Sequence, residues 1–227
     1  MTKHLVPWQL QRACHLTRTE GLTGLAAGVA RSVHHCRRRI LCTEKFVIYA
    51  TDTSAYETGL ALPPIDGLEV HILQNETDVE RLVQGNYEDV RNVVRPAGRR
   101  LRQGAVGFCA FVRREVAHVA WVALSATAKQ SFDVLPYPVD FQGGEACWGG
   151  ALTTRRFRNR GIYRYVMAWR LRYCHEQGYP VLVDATAVDN VASLKSQGTY
   201  DPAVRSVGYY RRILWTSNWT EQFLGGA

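Results

Sequence analysis

A chain of 227 residues is long enough for one well-packed domain with additions, or for two small ones. Its 46% apolar content is that of a globular protein, and its 19 glycines and 8 prolines are too few for a fibrous or disordered one. The net charge of +8 favours an anionic ligand, and nucleotide phosphates, nucleic acid and acidic lipid all meet that condition.

The charge is uneven. Residues 1–50 hold eight Lys/Arg against Glu20 and Glu44, and Ala151–His175 hold seven Arg and no acid. From Arg18 to Leu41, apolar residues recur at Leu22, Leu25, Val29, Val33, Cys36 and Ile40, which predicts an amphipathic helix with a basic C-terminal end. Its apolar stripe needs cover, from the rest of the chain or across a homodimer. The uncharged stretch Gly21–Ala30 has the look of a signal peptide. Glu20 and two glycines interrupt its apolar core, and the helical period continues past Arg31, which reads against cleavage. Phe46–Ala50 is a predicted strand. Ser54–Asp66, with Pro63-Pro64 before Gly67, marks a linker, so residues 1–66 read as a helix-strand extension and residues 67–227 as the main domain.

The main domain opens with a strand at Leu68–Leu73 and a helix capped by Thr77-Asp-Val-Glu80. A basic helical piece ends near Pro96. Ala105–Val112 and Val116–Leu124 are predicted strands joined as a hairpin. The loop Ser125–Gly144 leads to a strand at Glu145–Thr153, a helix stopped by Gly178 and Pro180, a buried strand at Val181–Ala185, a short helix at Asn190–Ser196 and a closing strand at Tyr209–Trp215. The fold class is α/β (α+β): a mixed central sheet flanked by helices, with the N-terminal extension added. Cysteines 14, 36, 42, 109, 147 and 174 form no CxxC pair and suit reduced, buried thiols in a cytoplasmic protein. No stretch reaches the roughly 20 apolar residues of a membrane span.

The chemistry concentrates in Thr153–Val166, where a strand turns through Arg158-Asn159-Arg160-Gly161-Ile162-Tyr163 into a helix. Such a turn offers free backbone N–H groups and the positive end of the helix dipole to an anion, while a glycine allows close approach. A basic surface helix would read the same way locally. The arrangement as a whole resembles the GNAT (N-acetyltransferase) superfamily, whose signature at this turn is Arg/Gln-x-x-Gly-x-Gly/Ala. Thirty residues on, Asn190-Val-Ala-Ser193 resembles the family's Asn-x-x-Ala/Ser helix, and the strand order over Gly67–Trp215 agrees.

The resemblance implies a GNAT-type fold and acetyl-CoA, or another acyl-CoA, as co-substrate. It places the acyl donor in a split between Glu145–Thr153 and Val181–Ala185. Backbone groups around Leu152, Thr153 and Thr154 would meet the pantetheine, the amides of Arg158, Asn159, Arg160, Gly161, Ile162 and Tyr163 the pyrophosphate, and the helix of Asn190 and Ser193 would face the pantetheine side of the cofactor. Two departures stand out: Tyr163 occupies a Gly/Ala position, and Gln197 stands where many members carry a Tyr acid. Tyr200 could replace it, and so could a water. Glu145 is the only acid near the strand that often carries the family's base.

Other groups have plainer readings. Cys147 has no sequence-near His and reads as a buried thiol rather than a nucleophile. His34-His35-Cys36 diverge around a helix and lack a carboxylate partner, so no metal is expected. The expected activity is N-acylation, by direct attack in a ternary complex, of a small-molecule or peptide amine. The alternatives are a non-catalytic acyl-CoA-binding module and a nucleic-acid-binding protein. The third is disfavoured, because the arginines coincide with the cofactor turn and no basic stretch is interleaved with stacking aromatics.

Overall fold

In a computed structural model, the structure describes residues 41–59, 63 and 65–223. The expected N-terminal helix and His34-His35-Cys36 lie outside them. The chain divides into a larger unit of residues 45–208 and 221–227, and a smaller one of residues 1–44 and 209–220. In the smaller unit the described residues include the outer half of strand β7 (Ala203–Ile213) and most of its neighbour β8 (Thr216–Phe223). Two strands therefore stand where the sequence suggested one closing strand.

The larger unit is the mixed sheet flanked by helices that the sequence implies. Strands β1 (Leu41–Asp52), β2 (Leu68–Leu73), β3 (Val106–Val112), β4 (Glu115–Ala123), β5 (Glu145–Thr153), β6 (Val181–Ala187) and β7 lie in the order β2-β3-β4-β5-β6-β1-β7. Residues 46–52, which the sequence grouped with the N-terminal extension, pair antiparallel with β6, from Phe46 opposite Ala187 to Asp52 opposite Val181. This part of the predicted extension is thus an interior strand of the larger unit.

Helix α1 (Glu76–Gln84) is capped two residues earlier than expected: Asn75 accepts from the Asp78 amide, and the Asp78 carboxylate reaches back to Asn75. Short helices α2 (Val90–Val93) and α3 (Ala97–Arg102) follow, so the basic piece continues beyond Pro96. The loop before β5 contains a further short helix, α4 (Ala126–Gln130). Arg113 and Arg114 both adopt positive φ and join β3 to β4 in a two-residue hairpin.

Helix α5 (Ile162–Glu176) buries Ile162, Val166, Met167, Leu171 and Cys174 against Phe108, Val122, Trp148 and Leu182 of the sheet. Each such apolar side chain contributes about 1.5–3 kcal/mol. A seven-residue helix, α6 (Val191–Gln197), follows β6.

β5 and β6 run parallel, but only Glu145–Cys147 pair with Val181–Val183. Beyond Cys147 the strands part, while β5 continues along β4 to Thr153 and β6 along β1 to Ala187. Two backbone edges therefore face each other unpaired in the middle of a sheet. Gly150, Ala151 and Leu152 are exposed although their strand is central. Unpaired edge N–H and C=O groups accept an added extended chain, which makes the split a binding feature.

Candidate active site

The split opens into a cleft of about 770 Å³, within the range of small-molecule and cofactor sites. Its walls are Trp148–Thr153 of β5, Asp184–Ala187 of β6, the turn Phe157–Arg164, and residues of α6. Of the expected cofactor-binding residues, Leu152, Thr153, Arg158, Asn159, Arg160, Gly161, Ile162, Tyr163, Asn190 and Ser193 all line it. Thr154 does not: its hydroxyl donates to the carbonyls of Val116 and Ala117 and ties the end of β5 to β4.

Gly161 is the N-terminal residue before α5 and has φ of +79°, a conformation open to glycine and costly for others. The amides of Asn159 to Tyr163 make no hydrogen bond to other described residues. Five N–H groups without a partner among the described residues thus stand at or just before the positive end of a 15-residue helix, a position that favours an anion. Tyr163 leans across the cleft, its hydroxyl 3.5 Å from Ser193 Oγ on α6 and its ring edge-on to His118. Asn190 caps α6 by accepting from the Ser193 amide.

Where the split begins, a buried polar cluster closes its apex. Asp184, the first β6 residue beyond the paired segment, accepts from Trp148 Nε1 at 2.7 Å, Thr186 Oγ1 at 2.9 Å and Gln197 Nε2 at 2.5 Å. Burial raises its pKa to about 6 against the lowering effect of these donors and of Arg170. Arg170, 2% exposed, lies with its guanidinium 4.6 Å from the Trp148 ring, and its Nε and Nη2 have no hydrogen-bond partner among the described residues. His118, across the cleft wall, bonds Thr153 Oγ1 through Nδ1 at 2.8 Å. Burial, with Arg170 nearby, pushes its pKa down to about 3, so it is neutral at physiological pH.

The sequence did not single out Asp184 or Arg170. An acid inside the apolar run Val181–Ala185 is the signal that marks Asp184. For Arg170, buried among the helix's exposed arginines, the sequence carries none.

The two expected catalytic groups stand elsewhere. Glu145 begins β5 at its paired end, outside the cleft lining. Its carboxylate is held by Arg205 and by the Asp140 amide, and these hydrogen bonds keep its pKa below the usual carboxylate value. Such a group is a poor proton acceptor. Tyr200 is buried in the core, donates its hydroxyl to the Arg164 carbonyl at 2.8 Å, and is also absent from the lining. Burial raises its pKa to about 12. Both residues are held in hydrogen bonds to other parts of the chain and stand outside the cleft lining.

The opposite cleft wall comes from the loop before β5. Phe132 and Asp133 line it, with the Phe132 ring against Gly149 and its Cβ against Gly150. Gly150 has φ of +56° and stands at an irregularity in the β4–β5 register, a bulge that frees backbone there. Cys147 is buried beside Tyr137, and burial raises its thiol pKa well above the ordinary value, which keeps it protonated. Cys42, Cys109, Cys147 and Cys174 are all free and buried. Among the described residues, no group of three or more His, Cys, Asp or Glu could hold a metal ion, and no helix is long and apolar enough to cross a membrane.

No protein-family model matches the chain. No curated protein matches it either. Solved structures do. A conserved protein of unknown function from Staphylococcus epidermidis aligns at 8% identity and TM-score 0.51, over 79% of this chain and 65% of its own. An acetyltransferase of the GNAT family from Colwellia psychrerythraea aligns at 12% identity and TM-score 0.48, over 80% of this chain and 60% of its own. A GCN5-related N-acetyltransferase from Kribbella flavida aligns at 11% identity and TM-score 0.44, over 91% of this chain and 75% of its own. The chain thus spans less than two thirds of the first two, and identities this low speak to fold alone.

Proposed function

We propose that this chain is a GNAT-type acyltransferase that moves an acyl group from an acyl-CoA, acetyl-CoA first among them, to an amine in a ternary complex. The observation that carries the reading is the split between β5 and β6, opening from Cys147 and Val183 toward a free-amide turn at Gly161. The turn suits a pyrophosphate, and the two unpaired edges suit an arm bearing amides. The cleft's volume and its cationic mouth fit the same co-substrate.

In this reading the chain's residues bind and orient more than they react. The neutral acceptor nitrogen attacks the thioester carbonyl, a C–N bond forms, the C–S bond breaks with its electron pair leaving on sulfur, and the proton shed by the nitrogen passes through water to the thiolate. A backbone N–H at the Gly149–Gly150 bulge would polarise the carbonyl oxygen. Arg170 and the Asp184 cluster at the apex would fix the field in which the thiolate forms.

Purified chain with acetyl-CoA and an amine library should release free thiol faster than hydrolysis alone. CoA should also bind by calorimetry. A second reading, an acyl-CoA-binding module without turnover, draws on the fact that Glu145 and Tyr200 both stand outside the cleft lining. CoA binding without amine-dependent thiol release would establish that alternative instead.

Glu145→Gln separates the structural role from the catalytic one. We expect its kcat to stay within about twofold of the parent, where a lost base would cost about 10²–10⁴-fold. The variant should instead lose about 1 kcal/mol of stability through the Arg205 pair. Because the folded pKa of Glu145 lies below the ordinary value, that contribution is present at neutral pH and vanishes as pH falls through it. Melting temperatures of variant and parent should therefore converge in acid. A kcat loss that recovers with rising pH would restore Glu145 as the base.

A further inference from the structure

Two carboxylates line the cleft, Asp184 and Asp133. Asp184 is buried and already accepts three hydrogen bonds. Asp133 is half-buried. One of its oxygens accepts from the Leu135 amide at 2.9 Å and the other from the Tyr137 hydroxyl at 2.5 Å, which leaves acceptor capacity on both. Tyr137 is itself fixed, since the Lys129 ammonium lies 3.9 Å from its ring and Cys147 Sγ 3.2 Å from its hydroxyl. Asp133 is therefore a held carboxylate that still has room for a cation.

Beside the same bulge, behind the residues that line the cleft, stands a cation. The Arg100 guanidinium, on α3, lies 5.2 Å from the Trp121 ring, and its Nη1 is 3.1 Å from where a Cβ on Gly150 would sit. Phe132 Cβ is 3.3 Å from that same point, so Arg100 and the residue preceding Asp133 meet over Gly150. Arg100 forms no ion pair among the described residues, and its buried Nε has no hydrogen-bond partner there. Arg100 and Asp133 do not pair with each other. Stacking on an indole fixes the plane of a guanidinium while leaving its N–H fork free for a two-oxygen anion.

We infer that the acceptor is an amine that also carries a carboxylate, a free amino acid in chemical class, with Asp133 receiving its ammonium and Arg100 its carboxylate beside the Gly149–Gly150 bulge. This rests on the acyltransfer reading above and adds the acceptor to it. A simple alkylamine would satisfy Asp133 and leave Arg100 without a counter-ion. A site built to bind a polar substituent discriminates strongly against the analogue lacking it, because its own buried polar group is then left unmatched.

The test uses acetyl-CoA and acceptors matched as amino acid and decarboxylated amine: glycine with methylamine, β-alanine with ethylamine, 4-aminobutyrate with propylamine, 6-aminohexanoate with pentylamine. At least one amino acid should exceed its amine in kcat/KM by about tenfold or more. Arg100→Gln should erase that ratio by raising KM for the amino acid well beyond any change it makes to the KM of the amine. Arg100→Lys should keep part of it. Asp133→Asn should weaken both members of the pair. Melting curves check that each variant is folded, and Arg100→Lys alone suffices if Arg100→Gln is not.

Equal or better turnover of the amines in all four pairs would overturn the inference, as would a ratio indifferent to both Arg100 variants. So would CoA binding and thiol release confined to other amines, and in that case the acyltransfer reading stands. Failure of CoA to bind by calorimetry would overturn that reading first, and this inference with it.

Discussion

Replacing Gly161 by valine is expected to weaken CoA binding by about tenfold or more while leaving the chain folded. Two effects combine. At φ of +79° an L-residue is strained by about 1–2 kcal/mol, and a β-branched one most of all. Relief of that strain rotates the peptide planes on either side, which carry two of the five free amides. Crowding is not the cause, for a Cβ at this position would meet only Pro63, at an ordinary 3.7 Å. Gly161→Ala, with the same backbone strain and less bulk, should fall between parent and valine in both affinity and melting temperature. Calorimetric titration with CoA, beside a melting curve, measures the two effects separately. Valine with full affinity and a lowered melting temperature would mean that the anion binds elsewhere.

The largest stability effect is expected at Asp184. Asp184→Ala would leave the indole N–H of Trp148 and the Thr186 hydroxyl without their acceptor, the Gln197 amide with Thr186 Oγ1 alone, and Arg170 without its nearby negative charge. Removing one member of a buried charged cluster costs about 3–5 kcal/mol, which in a chain of this size lowers the melting temperature by about 6–20 °C. Asp184→Asn keeps a carbonyl for Trp148 and should lose less.

The sign of the pH dependence follows from the raised pKa. Between the ordinary carboxylate value and about 6 the folded state binds the extra proton, so this group's contribution falls as pH rises through that window and is constant above it. The asparagine variant should lack that slope when melting is compared from pH 4 to 7. A melting temperature unchanged in Asp184→Ala would show that the cluster is not buried as described.

Much of this architecture was legible from residue patterns. Strand β5 was placed to the residue at both ends, because Gly144 and Thr154 bracket a run with no competing helical period. The α5 turn was legible because glycine between arginines marks a special backbone. The cap of α1 was misplaced by two residues, since Asn75 and Thr77 are both good caps and only the backbone geometry at Asn75, extended at φ of −153°, distinguishes them.

The candidate site divides along the same line. Its backbone half, the turn and the split, is local and could be inferred. Its side-chain half is assembled from distant segments: Asp133 from a loop, Arg170 from mid-helix, Asp184 from β6. Glu145 stood out in the sequence as the acid closest to the right strand, yet strand position says nothing of Arg205, sixty residues on, which claims it.

The split in the sheet has a mechanical consequence. Two strands that part company behave like a crack, with leverage concentrated at the last bonded rung. Here that rung is Cys147 opposite Val183, and the next residues on, Trp148 and Asp184, are cross-linked through their side chains. The indole–carboxylate bond works as a crack stopper, blunting the tip with a contact that needs no backbone pairing. Strain from a ligand wedged between the strands is then borne by the free arms, Gly149–Thr153 and Ala185–Ala187, and not by the register of the zipped half. The aperture can flex while the rest of the sheet keeps its shape.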